Sequence, residues 1–397
     1  MTRNWIDDVM DATLEAESPR SFVRWAALCA ISAVMTDRVY LDKHYYKLFP
    51  NIYVLLVAKS GLRKSFPPML AKALVKVVDN TRVISGRNSI QAIIHELSTT
   101  VTKPKQSPLV KAHGFIVTGE LSTTFIEDPQ TLTILMDLYD GHYHQDGWDY
   151  TLKGTGKESL KDIAVTLLGA INPPHFKDMV HSKDITGGFI ARTIIVEESR
   201  RALKNPLIDA PKQRLDTAEL VRYLVELSKV EGEFKWSDDA AEFYREWYKT
   251  FNPEDMEDDT GTANRIHDQI LKVAMLLSLA RDTELIYLKE DIQEAMDLLE
   301  SAIKTAASAT RGHGESDFSP KVRIVLEELE SSPDHKVKRS ELLIKHWGDF
   351  TAAELSIVIQ TLEGAKAVTA RTVGKDELYT ATDTLLDVIE AFKGGIH

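Results

Sequence analysis

The sequence predicts an α/β fold: a largely parallel sheet covered by helices, followed by a helical region and a small terminal domain. Three observations predict it. Short apolar runs recur at 51–57, 83–85, 114–118, 163–171 and 189–196, the pattern of strands buried on both faces. Helical patterns lie between most of them, the alternation that builds parallel sheets. After about residue 212 the runs give way to helical periodicity.

The elements follow in order. Residues 1–50 read as helical, with Ser18-Pro19-Arg20 opening a helix whose apolar body is Phe22 to Met35. Asn51 to Val57 is the first buried strand. Lys64 to Val78 reads as a helix, because Pro67 and Pro68 fall in its first turn, where a missing N–H costs little. A strand at Val83-Ile84-Ser85, a helix over 89–98, a polar loop at 99–113 and a strand at Gly114 to Thr118 come next. Asp128 to Tyr139 is helical. Trp148 to Leu152 followed by Lys153-Gly154-Thr155-Gly156-Lys157 reads as half a hairpin and its turn. Ile163 to Ile171 and Phe189 to Val196 complete the sheet. Helices are expected at 215–230, 238–251, 262–281 and 289–310. Beyond a linker at 312–320, three helices and a strand–turn–strand have the order of a winged helix-turn-helix, with Thr351-Ala352-Ala353-Glu354 as a capping box. The expected organisation is 1–48 N-terminal helices, 49–205 sheet core, 212–312 helical subdomain and 318–397 winged helix.

Composition narrows the function classes. The chain has 397 residues, 43% of them hydrophobic, which excludes wholesale disorder. A formal charge of -12 disfavours coating duplex DNA along an open basic face, though not a ring that turns a few cations toward a strand. Cys29 alone cannot make an internal disulfide. The N-terminus lacks signal-peptide character and Ala26 to Met35 is too short to span a bilayer, so a cytoplasmic protein without a membrane partner is expected.

Between the first strand and its helix lies Ala58-Lys59-Ser60-Gly61-Leu62-Arg63-Lys64-Ser65. It follows the phosphate-binding loop G-x-x-x-x-G-K-[ST], a P-loop that binds ATP with Mg²⁺. Lys64 is placed to reach the β- and γ-phosphates and Ser65 to ligate Mg²⁺. The helix N-terminus adds free N–H groups and partial positive charge. Both motif glycines are replaced, by Ala58 and Arg63, and arginine at the second position disfavours left-handed backbone. The alternative is a tight turn with a chance Lys-Ser.

Phe115 to Glu120 is an apolar strand ending in an acid, where a Walker B motif belongs. Gly119 replaces the usual aspartate, while Glu120 can orient or deprotonate the attacking water. Asn172 ends the fourth strand and either senses the γ-phosphate or forms the turn before Pro173-Pro174. Arg192 is a candidate arginine finger or a surface ion pair. Arg265 and Lys272 are weaker candidates for a second nucleotide sensor, and Asp137 and Asp140 for an acid compensating Gly119. The His142, His144, Asp146, Asp149 cluster reads as a polar loop rather than a metal site.

The run Phe49-Pro50-Asn51-Ile52-Tyr53-Val54-Leu55-Leu56-Val57 with its loop resembles a group of phage and prophage P-loop proteins. So do Ser85-Gly86-Arg87, the Glu120 strand, Gly169-Ala170-Ile171-Asn172-Pro173 and Gly188-Phe189-Ile190-Ala191-Arg192. The likeness covers about residues 20–310. It implies a RecA-like or AAA+-like core resembling hexameric replicative helicases, and hence a homo-oligomer, a hexamer, acting on single-stranded or forked DNA beside other replication proteins. It also implies that the hairpin before the fourth strand points into a pore, with Lys153 and Lys157 gripping DNA and Trp148 and Tyr150 stacking on it. An exposed hairpin with a lysine-bearing turn is the plain alternative. The readings in play are an ATP-driven DNA motor, an ATP-binding loader or initiator that unwinds nothing, and a nucleotide-switched winged-helix regulator.

Overall fold

The computed structural model describes residues 4–86, 88–99, 111–121, 129–144, 146–152, 156–181, 186–205, 217–256, 261–310, 319–374, 376–383 and 385. The chain forms two compact units, 1–311 and 312–397.

The first unit opens with α1 (Trp5–Ala12), whose N-cap Asn4 and Asp7 form a capping box. Helix α2 (Arg20–Met35) is buried almost all round, as its uninterrupted Phe22-to-Met35 apolar body requires. The expectation of helix up to residue 50 fails beyond it. Val39–Asp42 is a strand, β1, paired antiparallel with β2 (Lys47–Leu48). The alternation of Val39 and Leu41 inward with Tyr40 and Asp42 outward is the strand period of two.

The sheet core then runs β3 (Tyr53–Val57), α3 (Phe66–Lys76), β4 (Val83–Ser85), α4 (Ile90–Ser98), β5 (His113–Thr118) and α5 (Pro129–Tyr139). It continues with the antiparallel hairpin β6 (Trp148–Leu152) and β7 (Gly156–Leu160), then β8 (Ala164–Ile171), α6 (Pro173–His181), α7 (Thr186–Ile190) and β9 (Thr193–Glu197). Five strands pair in the order β4-β5-β8-β3-β9, every pair parallel. In chain order of the sheet strands this is 2-3-4-1-5. The fifth strand is shorter than its apolar run predicts, because Phe189 and Ile190 close α7 and pack into the core from a helical turn.

Burial on both faces explains the unbroken apolar strands. In β3, Val54 and Leu56 join a core with α2 and α3, while Tyr53, Leu55 and Val57 join a second core with α4 and α5. Past the sheet come α8 (Thr217–Leu227), two short strands β10 (Gly232–Glu233) and β11 (Lys235–Trp236), and α9 (Asp238–Thr250). Helix α10 (Ile266–Arg281), β12 (Ile286–Tyr287) and α11 (Lys289–Thr310) follow. Residues of α8, α10 and α11 share the α2 core, and β1 pairs with β10, so the segments expected as three regions make one unit. No helix among the described residues is long and apolar enough to cross a membrane.

The second unit has α12 (Ser319–Ser331), β13 (Lys336–Lys338), α13 (Arg339–Lys345), α14 (Ala352–Gly364), β14 (Val368–Val373) and β15 (Asp376–Ala381). The strands form an antiparallel sheet in the order β13-β15-β14. Thr351 and Glu354 make the expected capping box on α14.

Candidate functional site

In a parallel sheet all strands end at the same edge, and ligands of such sheets bind in the crevice outside those carboxyl ends. Here that edge collects the segment after β3 (58–65), Gly119 and Glu120 after β5, Asn172 after β8 and residues 198–205 after β9. Pairs Val57↔Ile171 and Val57↔Glu197 bring these strand ends level.

Lys64 is the centre of the site. Its side chain is buried, and its Nζ donates to Asn172 Oδ1 at 2.5 Å. Burial lowers the amine's pKa from the usual lysine value, and the Glu120 carboxylate opposes that shift. Asn172 also turns the chain, since its carbonyl accepts from Phe176 N–H at 2.9 Å. The two sequence readings of Asn172 therefore coexist. Glu120 is exposed, and its backbone is held by Thr118: the Thr118 hydroxyl donates to the Glu120 carbonyl at 2.8 Å.

The loop itself is open. Ala58 N–H donates to the Ile171 carbonyl and Leu62 N–H to the Lys59 carbonyl. The amides of Lys59, Ser60, Gly61, Arg63, Lys64 and Ser65 find no acceptor among the described residues. Gly61 has φ +90°. Arg63, expected to disfavour left-handed backbone, adopts it, with φ +57°. That conformation costs about 1–2 kcal/mol for a residue with a Cβ. Neighbours fix it: Ser18 Oγ donates to the Arg63 carbonyl at 3.2 Å, and Arg63 Nε donates to Glu17 Oε2 at 2.8 Å. Helix α3 supplies fewer donors than most helix N-termini, because Pro67 and Pro68 lack N–H groups.

Ser65 Oγ donates to the Gly119 carbonyl at 3.0 Å. A Cβ built on Gly119 would lie 3.2 Å from Ser65 Cβ and 3.6 Å from its Oγ. A side chain at residue 119 would press on Ser65, so glycine suits the close approach of the two residues.

Arg192 lies elsewhere. It precedes β9, so it sits at the opposite edge of the sheet, where its guanidinium is tied to Asp140 (Nε–Oδ2 2.9 Å) and to the Gly188 carbonyl at 2.8 Å. Within its own chain it forms a largely buried ion pair with Asp140, not the surface pair that was the alternative to the finger. Lys272 is fully buried, donates to the Asn51 carbonyl and Oδ1, and lies over the Tyr139 ring. Burial pushes its pKa down to about 7. It and exposed Arg265, just before α10, lie by Asn51 and Tyr139, at the sheet edge opposite the loop. Asp137 accepts from the Trp148 indole at 3.3 Å and Asp140 holds Arg192, so neither compensates Gly119.

The hairpin β6–β7 is present, but Lys153 lies outside the described residues. Lys157 Nζ pairs with Asp149 at 2.7 Å, and Trp148 and Tyr150 stack on each other with centroids 5.9 Å apart while packing on the sheet core.

Sequence reading missed Glu17 and Arg201. Arg201 Nε donates to the Gly61 carbonyl at 3.0 Å and its Nη1 to Glu17 Oε1 at 2.9 Å. The available signal was Arg200-Arg201 directly after the fifth strand, at the edge where a phosphate would bind. Comparison of the chain with protein-family models and with curated protein sequences gives no match.

Proposed function

We propose that the chain binds and hydrolyses ATP with Mg²⁺ through a P-loop formed by residues 58–65. The observation that carries this reading is the buried Lys64 amine at the carboxyl end of β3, bonded to Asn172 and facing Glu120. The unpaired loop amides and the left-handed Gly61 and Arg63 form a cradle suited to an anion. The strand order supports it too. The strand that ends in Asn172 lies between the loop strand and the Glu120 strand, which sets a polar sensor between loop and acid in a RecA-like or AAA+-like core.

In this reading Lys64 and the loop amides hold the phosphates, and the Ser65 hydroxyl turns its lone pairs to Mg²⁺. When bound, Mg²⁺ neutralises charge on the phosphate oxygens. Glu120 accepts the proton of the attacking water, and Asn172, released by Lys64, orients that water or the γ-phosphate. With no acid at residue 119, Ser65 would be the loop's side-chain ligand for Mg²⁺, which favours modest turnover.

The wider role is that of an ATP-driven DNA motor, assembled as a hexamer. Two observations favour a second reading, a loader or initiator that responds to ATP without unwinding. Lys157 is paired to Asp149, and residue 119 beside Ser65 is a glycine, which offers no carboxylate to a metal. The second unit, read as a winged helix, supports protein docking more than DNA contact. The exposed residues of α14, including Ala353, Ile357 and Gln360, carry no cation, and Ile344 in α13 and Trp347 just beyond it are exposed. Steady-state ATP hydrolysis with and without single-stranded DNA decides between the two. A rate that rises with DNA and vanishes in Glu120→Gln supports the motor. Binding without DNA-stimulated turnover supports the loader.

A further inference from the structure

Glu17 lies in the link between α1 and α2, far from the loop in sequence, yet its carboxylate spans two arginines beside it. Oε2 accepts from Arg63 Nε at 2.8 Å, and Oε1 accepts from Arg201 Nη1 at 2.9 Å and from the Asn205 amide at 3.3 Å. The Glu17 side chain is 14% exposed, against 61% for Arg63. The two guanidiniums hold its carboxyl below the ordinary glutamate range, Arg63 most strongly. Neither arginine is saturated: Arg63 Nη1 and Nη2 and Arg201 Nη2 find no acceptor among the described residues. Arg201 Nη2 would lie 3.9 Å from a Cβ on Gly61, so the guanidinium stands directly over the loop.

A planar carboxylate between two guanidiniums at the rim of a phosphate cradle offers what a phosphate oxygen would offer there. We infer that Glu17 is an internal stand-in for the terminal phosphate of a nucleoside triphosphate, which displaces it from Arg63 and Arg201 on binding. The inference rests on the nucleotide-site reading above and adds to it a discriminating pair and a release step. The exchange has a mechanical consequence. The Glu17 carbonyl also accepts from Ala202 N–H at 3.2 Å, and Ser18 Oγ holds the Arg63 carbonyl. Displacing the carboxylate loosens the 13–19 link from the loop, so the terminal phosphate sets how tightly α1 and α2 are joined to the nucleotide site. A diphosphate, too short to reach the pair, leaves Glu17 in place.

The test uses the full chain with Mg²⁺, comparing ADP with a non-hydrolysable ATP analogue. Affinities are measured for the unaltered protein, Glu17→Gln and Arg201→Gln. Hydrogen exchange over residues 13–20 and at Ala202 is followed in the unaltered protein. Removing the internal competitor should tighten the analogue roughly three- to tenfold in Glu17→Gln and change ADP little, the range expected for losing partly exposed ion pairs. Arg201→Gln should weaken the analogue and spare ADP. Exchange over 13–20 should rise with the analogue and not with ADP. Equal weakening of both nucleotides in Glu17→Gln, or no change in either, overturns the exchange, as does protection over 13–20 on adding the analogue. Should Glu17→Gln fail to fold, Arg201→Gln and the exchange data decide alone. Failure of the unaltered protein to bind either nucleotide overturns the nucleotide site and the exchange together, whereas binding without these shifts overturns the exchange only.

Discussion

Placing an aspartate at residue 119 should damage the site at residues 58–65. A Cβ there would stand 3.2 Å from Ser65 Cβ, tighter than ordinary van der Waals contact. Ser65 has little room to retreat. Its hydroxyl is bonded to the Gly119 carbonyl at 3.0 Å, its own carbonyl accepts from Met69 N–H at 3.3 Å, and the following Pro67 and Pro68 are buried. Overpacking of this kind costs about 1–3 kcal/mol. For a unit of residues 1–311 each kcal/mol lowers the melting temperature by about 1–2 °C. Gly119→Ala isolates the steric part, and Gly119→Asp adds a charge facing Ser65. Thermal melting by circular dichroism and titration with a fluorescent ATP analogue should show both variants melting lower and binding more weakly. A Gly119→Asp protein that melts like the unaltered chain and hydrolyses ATP more than tenfold faster would refute the close-approach argument.

Further outcomes follow from the same contacts. Arg192→Ala should destabilise by about 3 kcal/mol, because it strips the partner from partly buried Asp140; Arg192→Ala/Asp140→Asn should recover part of that loss, and a normal melt for Arg192→Ala would contradict the structural role. Lys272 binds fewer protons folded than unfolded between its depressed pKa of about 7 and the ordinary 10.5. Stability of the unaltered chain should therefore rise with pH across that window, by a few kcal/mol at most, relative to Lys272→Met; urea titrations at pH 7 and 9.5 that shift in parallel would contradict it. Thr351→Ala removes the hydroxyl that accepts from Glu354 N–H and should lower the stability of the second unit by about 1 kcal/mol, read as an earlier melting transition in the full chain.

The inner sheet strands were legible because β3 and β8 are buried on both faces, which leaves an unbroken apolar run. Strand β1 was not, since four residues of a two-period pattern are overridden by the long helical run before them. The boundary of β9 was misjudged for a related reason: Phe189 and Ile190 are core residues in a helical turn, and apolar character alone does not separate the two states. The shared edge of Lys64, Ser65, Glu120 and Asn172 was legible because each follows a strand, and parallel strands deliver their ends to one edge. The order of the strands was not written locally, and with it went the positions of Arg192 and Lys272, whose burial and pairing depend on residues far along the chain. Glu17 is 184 residues from Arg201, so no spacing rule joins them. Arg63 was misread because its left-handed backbone is held by Glu17 and Ser18, partners that the loop sequence does not contain.

The most direct test of the central claim is a calorimetric titration of ATP with Mg²⁺ into the unaltered chain and into Lys64→Ala. Saturable binding to the unaltered protein and its loss in Lys64→Ala are expected, with both chains folded by circular dichroism. Equal binding by the two, or binding by neither, would contradict a nucleotide site at residues 58–65.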